Sequence, residues 1–148
     1  LHVAAAYSLT RQSHAARPDG YVKRVPQAST LASRFMRWGG VLLLVFIVFH
    51  ILHFTTGTFS PGGAYVEGDV YHNVVQAFHV WWVAAFYMVS MVFLGLHLYH
   101  GAWSSARTLS ITGNSSHPLH HRLSVLIALV VWLGFTLVPL GVLLGWVG

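Results

Sequence analysis

Three long apolar stretches, divided by short polar ones, leave this chain few folds to choose from. They cover residues 31–56, 70–107 and 120–146, each longer than the ~20 residues that carry a helix across a bilayer. Hydrocarbon offers nothing to bond a bare backbone, so each stretch must satisfy its own amides as a helix. Of 148 residues, 55% are hydrophobic and 7% charged, which excludes a soluble domain. The expected fold is all-α: a transmembrane helix bundle of three full membrane helices plus an N-terminal partial helix, in one domain over residues 1–148.

The polar segments punctuate that plan. Residues 1–9 are apolar but too short to span. They read as the last two or three turns of a membrane helix, with about one and a half further helices expected N-terminal to them. Residues 13–33 are polar and basic, with Pro18-Asp19-Gly20 as a turn and Pro26 as a breaker. Residues 57–68 hold Pro61-Gly62-Gly63 and read as an outer loop, and residues 113–118 as a turn. The stretch 70–107 exceeds a bilayer's need, so its first turns are expected in the interface or the helix tilted. Pro139 falls near the outer end of the last helix, where a kink is tolerable.

Charge sets the orientation. The eight bases lie in two segments: Arg11, Arg17, Lys23, Arg24, Arg34 and Arg37 in one, Arg107 and Arg122 in the other. Glu67 and Asp69, two of the three acids, share a third segment without a base. This is the positive-inside pattern rather than a nucleic-acid patch, and no nucleic-acid partner is expected. The basic loops are therefore cytoplasmic. The N-terminal stub runs inward, 31–56 outward, 70–107 inward and the last helix outward, with Trp81, Trp82 and Trp103 at interfacial levels.

Against three acids stand eleven histidines, and there is no cysteine. Thiolate-held iron–sulfur clusters, disulfides and covalent c-type haem are thus excluded from this chain. Imidazoles inside hydrocarbon are costly and are usually retained because something binds them, and haem iron fits best. Two imidazoles from different helices at one depth are needed for a bis-histidine haem. His2 lies nine residues before Arg11 and His97 ten before Arg107, which gives an inner-half pair. His50 lies seven residues before Gly57, roughly 10 Å from the outer end of its helix, whereas His97 lies roughly 27 Å beyond His79. His50 therefore belongs to an outer haem whose second ligand is expected on a further helix. His53 and His100, one turn beyond the proposed ligands, are candidates for a haem propionate or a quinone oxygen. His14, His72, His79, His117, His120 and His121 flank loops and are mostly expected in solvent. No histidine spacing suits a closed zinc site, and a lone membrane histidine can also simply bond a neighbouring helix.

At these residues the chain resembles the cytochrome b558 membrane-anchor family of succinate dehydrogenase and fumarate reductase, in its single-chain, five-helix, two-haem form. The resemblance runs through Leu1-His2 and Ala15-Ala16-Arg17-Pro18-Asp19-Gly20-Tyr21, then Ser33-Arg34-Phe35-Met36-Arg37-Trp38-Gly39-Gly40 leading to His50-Ile51-Leu52-His53-Phe54-Thr55-Thr56-Gly57. It continues through residues 95–105 with Thr108-Leu109, and the last helix agrees in hydropathy and Pro139-Leu140. The resemblance implies that His2 pairs with His97 on an inner haem b, and His50 with a first-helix histidine on an outer one. It implies a flavoprotein subunit holding FAD, an iron–sulfur subunit holding three clusters, menaquinone as the quinone, and a bacterial inner membrane. The family's first helix and most of its second have no counterpart here. Arg34, Arg37, Trp38 and Ser104 lie where an inner quinone would dock, although interfacial anchoring explains them equally. Two other readings stand beside this one: a haem-free anchor that only shapes a quinone site, and a b-type subunit of another quinone-linked oxidoreductase.

Overall fold

The computed structural model describes residues 1–16, 31–109 and 118–148, with the backbone alone for Leu31, Ala32, Arg34 and Pro118. The described residues form helices and no strand. The turn expected at 18–20, all but Pro118 of the turn expected at 113–118, the break at Pro26, and Arg17, Lys23, Arg24 and His117 lie outside the described residues, and Pro118 begins a helix.

Helix α1 is His2–Ala15, longer than its nine apolar residues because local side-chain bonds carry it on. Thr10 donates to the Ala6 carbonyl at 2.8 Å and Gln12 to Ser8 at 3.0 Å. Helix α2, Leu31–His50, passes directly into a π-helical turn, Ile51–Thr55. The Thr56 N–H closes that wide turn on the Ile51 carbonyl at 2.9 Å. The single helix expected over 70–107 is two: α3, Val70–His79, and α4, Trp81–Thr108, divided at Val80 where ψ is 103°. The physical reason is length. A straight helix over that stretch would run about 57 Å, nearly twice the ~30 Å hydrocarbon thickness. Asp69 starts α3 by accepting the His72 N–H at 3.0 Å. Helix α5, Pro118–Leu143, opens on a proline, which has no amide hydrogen to leave unbonded there. It closes where Gly145 takes φ 70° and the Trp146 N–H reaches back to the Gly141 carbonyl at 2.8 Å.

Phe35–Thr55, Trp81–Thr108 and Leu119–Leu143 are long and apolar enough to cross a membrane, so this is a multi-pass membrane protein. Helix α4 is the middle of the bundle. It packs along both α2 and α5, which do not approach each other, and α3 lies against α4, α5 and the π-turn. Small residues let the backbones come close, as in membrane interfaces generally. Gly39 on α2 is buried, and a Cβ there would stand 2.9 Å from Cδ1 of Phe93 on α4. Gly95 similarly meets Trp132 of α5, and Ala84, Ser90, Ser124 and Ala128 are buried along the same seams. The serine hydroxyls donate within their own helices, Ser90 to Phe86 at 2.7 Å and Ser124 to His120 at 2.9 Å. A Gly39→Leu substitution is expected to destabilise by about 1–3 kcal/mol through overpacking. A lower unfolding midpoint in a denaturing-detergent titration checks it; an unchanged midpoint would show that α2 and α4 do not pack at this level.

Candidate functional site

Because the backbones of α2 and α5 flank α4 without approaching each other, one side of the bundle forms a trough with α4 as its floor. Phe46, His50 and Phe54 make one wall, Phe135 and Val138 the other, and Tyr87, Met91 and Leu94 the floor. Val74 and Phe78 of α3 close its outer end, and the cavity measures about 560 Å³, within the ~300–1,000 Å³ of cofactor and ligand sites. The outer loop is built to hold this end shut. Tyr65 donates toward the carbonyls of Phe54 and Thr55, at 3.4 and 3.5 Å. Asn73 pins Val66 through both backbone groups, at 2.9 and 2.7 Å. Gly57 takes φ 64° there with the Tyr65 ring packed against it, a place that only glycine fills without strain.

Within the trough wall sits a polar cluster of two histidines and a tyrosine. The Tyr87 hydroxyl lies 3.2 Å from His53 Nδ1 and 3.4 Å from His50 Nδ1. His53 is buried, 1% exposed, and its ring stacks on Phe54 at 4.1 Å between centroids. His50 is exposed and lines the trough, whereas His53 does not. The Tyr87 ring is held by edge contacts from Phe46, Phe54 and Phe78, at 5.2, 5.6 and 5.1 Å between centroids. The hydroxyl is therefore fixed in place.

The second histidine site lies deeper. His97 is ten residues along α4 from Tyr87, about 15 Å toward the inner end. Its ring faces that of His2, with centroids 5.9 Å apart and planes 82° apart. Helix α1 otherwise stands off: it makes no close backbone approach to the other helices, and every residue of it but Thr10 is exposed. His97 Nδ1 is buried without a hydrogen-bond partner among the described residues. The structure thus brings His2 and His97 together, sets His50 at another level, and gives His50 and His53 a common partner.

The residues considered for a quinone come from two helices, Arg34, Arg37 and Trp38 from α2 and His100 and Ser104 from α4. Arg37, Trp38 and Ser104 are exposed and His100 is half-buried; the side chain of Arg34 is not described. At the inner end it is Tyr99, Trp103, Arg107 and His121 that meet. Tyr99 and His121 share a 3.0 Å hydrogen bond, Trp103 packs edge-on against His121 at 5.4 Å, and Arg107 lies 5.9 Å over the Trp103 ring. His121 is exposed, as expected, and also bonds α4. The spacing of Tyr99, Trp103 and Arg107, four residues apart on one helical face, was the available signal. For Tyr87 the signal was a phenol amid apolar residues, since a buried hydroxyl needs a partner.

Among the described residues no three histidine or acidic side chains are grouped to hold a metal ion. No protein-family model, curated protein or solved structure matches this chain.

Proposed function

We propose that this chain is the membrane anchor of a succinate:quinone oxidoreductase and carries electrons across the bilayer through two b haems. The observation that carries this reading is the meeting of His2 and His97 across two helices whose backbones stay apart. A bis-histidine haem takes one imidazole from each of two helices at one depth, and the rings of His2 and His97 lie 5.9 Å apart between centroids. A helix held off its neighbour at a histidine pair is what a flat macrocycle requires, and two histidines that merely bonded each other would leave α1 free to pack.

His2 and His97 would hold the inner group, and His50 would hold the outer one from the wall of the trough. When bound, haem b supplies a one-electron couple at each of two levels. The protein's own residues do the rest. Phe46, Phe54, Phe78 and Phe135 keep water from the outer level, which limits charge loss on the way. The inner arginines, Arg11, Arg37 and Arg107, face the side where an iron–sulfur subunit docks, itself joined to a flavoprotein carrying FAD. Arg34, Arg37, Trp38 and Ser104 are proposed to border a menaquinone site at that end, in a bacterial inner membrane.

Purifying the intact complex and recording a reduced-minus-oxidised spectrum tests the reading. Two b haems per anchor, with flavin and iron–sulfur protein in the same peak, are expected. A spectrum without b haem would leave a haem-free anchor. Haem with a different set of soluble subunits would assign the chain to another quinone-linked oxidoreductase.

A further inference from the structure

We infer that Tyr87 is a positioning residue: its hydroxyl joins His50 and His53 in a directed hydrogen-bond relay that fixes which nitrogen of His50 faces the trough. The inference rests on the reading of His50 as an iron ligand and adds what that reading does not contain, the role of the two groups behind it.

The argument is a proton inventory. Tyr87 has one hydroxyl hydrogen, and two imidazole Nδ1 atoms lie at 3.2 and 3.4 Å from its oxygen. At most one histidine can therefore accept from Tyr87, and the other can stay bonded to it only by donating to the phenol oxygen. If Tyr87 donates to His50, the remaining hydrogen of a neutral His50 sits on Nε2, which then cannot bind iron. If His50 donates, Nδ1 carries the hydrogen and Nε2 keeps its lone pair. Only donation from His50 to Tyr87 leaves a ligand nitrogen on His50, so iron there would set the direction of that link and leave the single Tyr87 hydrogen for His53 Nδ1. A metal-bound imidazole commonly donates its other N–H to a fixed acceptor, which orients the ring and raises its basicity.

The local fold supplies this arrangement deliberately. The two histidines are three residues apart, and the π-turn Ile51–Thr55 carries His53 into the α2–α4 seam while His50 remains on the trough. Single π-turns recur at functional sites. A helix clip alone needs one histidine on Tyr87; the second imidazole, exposed on its far side, has no part in a clip.

Tyr87→Phe keeps the ring and its aromatic contacts and removes only the hydroxyl. In the intact complex the outer haem is expected to become easier to reduce, because its ligand loses an acceptor and basicity. The ferrous-to-ferric ratio at fixed potential should rise by up to about tenfold, or 59 mV for a one-electron couple. The outer low-spin electron paramagnetic resonance signal should shift as the ring is released, and the inner haem should do neither. His53→Phe leaves Tyr87 to accept from His50 and should move the outer potential in the same direction by less. Should Tyr87→Phe lose the outer haem altogether, His53→Phe decides alone: a shifted outer potential supports the relay, an unchanged one overturns it. Outer potential and signal unchanged in both variants, with two haems present, would reduce the cluster to a helix clip. Wild-type complex lacking an outer haem would instead overturn the reading of His50 as a ligand.

Discussion

Replacing His97 with alanine is expected to remove the inner haem and leave the outer one, halving the haem content of the purified complex. The expectation follows from the separation of the two levels. His97 faces His2, at 5.9 Å, and lies ten residues along α4 from the residue that contacts His50. His100 is the nearest substitute, but three residues of helix displace it by ~4.5 Å along the axis and about 60° around it. An iron bound there would lose alignment with His2. Haem extraction and low-spin resonance signals measure the outcome. Retention of both signals in His97→Ala would show that His97 is not an axial ligand, and loss of both would show that the two levels are not independent.

Reversing the charge at Arg37 and Arg107 together is the second large effect. Both are exposed on α2 and α4, and Arg11 adds a third base on α1. Hydrophobic anchoring alone does not require three cations at one end, and under the proposed function an acidic face on a soluble partner would complement them. The double variant Arg37→Glu/Arg107→Glu should retain the soluble subunits at least tenfold less well at low salt, about 1.4 kcal/mol. The difference should shrink at ~1 M salt, where the Debye length falls to about 3 Å. Equal retention of variant and wild type across the salt series would remove the arginines from the docking surface.

Much of the architecture was legible because a bilayer reduces folding to a question of length and charge. Residues 31–56 and 120–146 could only be helices, and both are, within a few residues of their expected ends. The break at Val80 was not legible, since His79-Val80-Trp81 contains neither glycine nor proline. Length rules out one straight helix in a bilayer, and the packing of α3 against α5 and the π-turn decides that the chain turns at Val80. The same holds for the π-turn itself: Ile51–Thr55 has an ordinary apolar helical pattern, and the extra residue per turn is visible only in the Thr56 to Ile51 bond.

The sites divide in the same way. Counting residues from the inner arginines suffices to put His2 and His97 at one depth, because a helix advances a fixed distance per residue. It could not show that α1 stands away from α4, which is a property of two surfaces. His50 and His53 are equivalent on paper, three residues apart on one helix end. Tertiary structure separates them, turning one into the seam and leaving the other on the trough, because Tyr87 arrives from a different helix and its single hydroxyl must satisfy both. Depth and polarity along a membrane helix are local quantities that a sequence carries by itself. Which buried polar groups meet depends on the azimuth of neighbouring helices, and that is decided only when they pack.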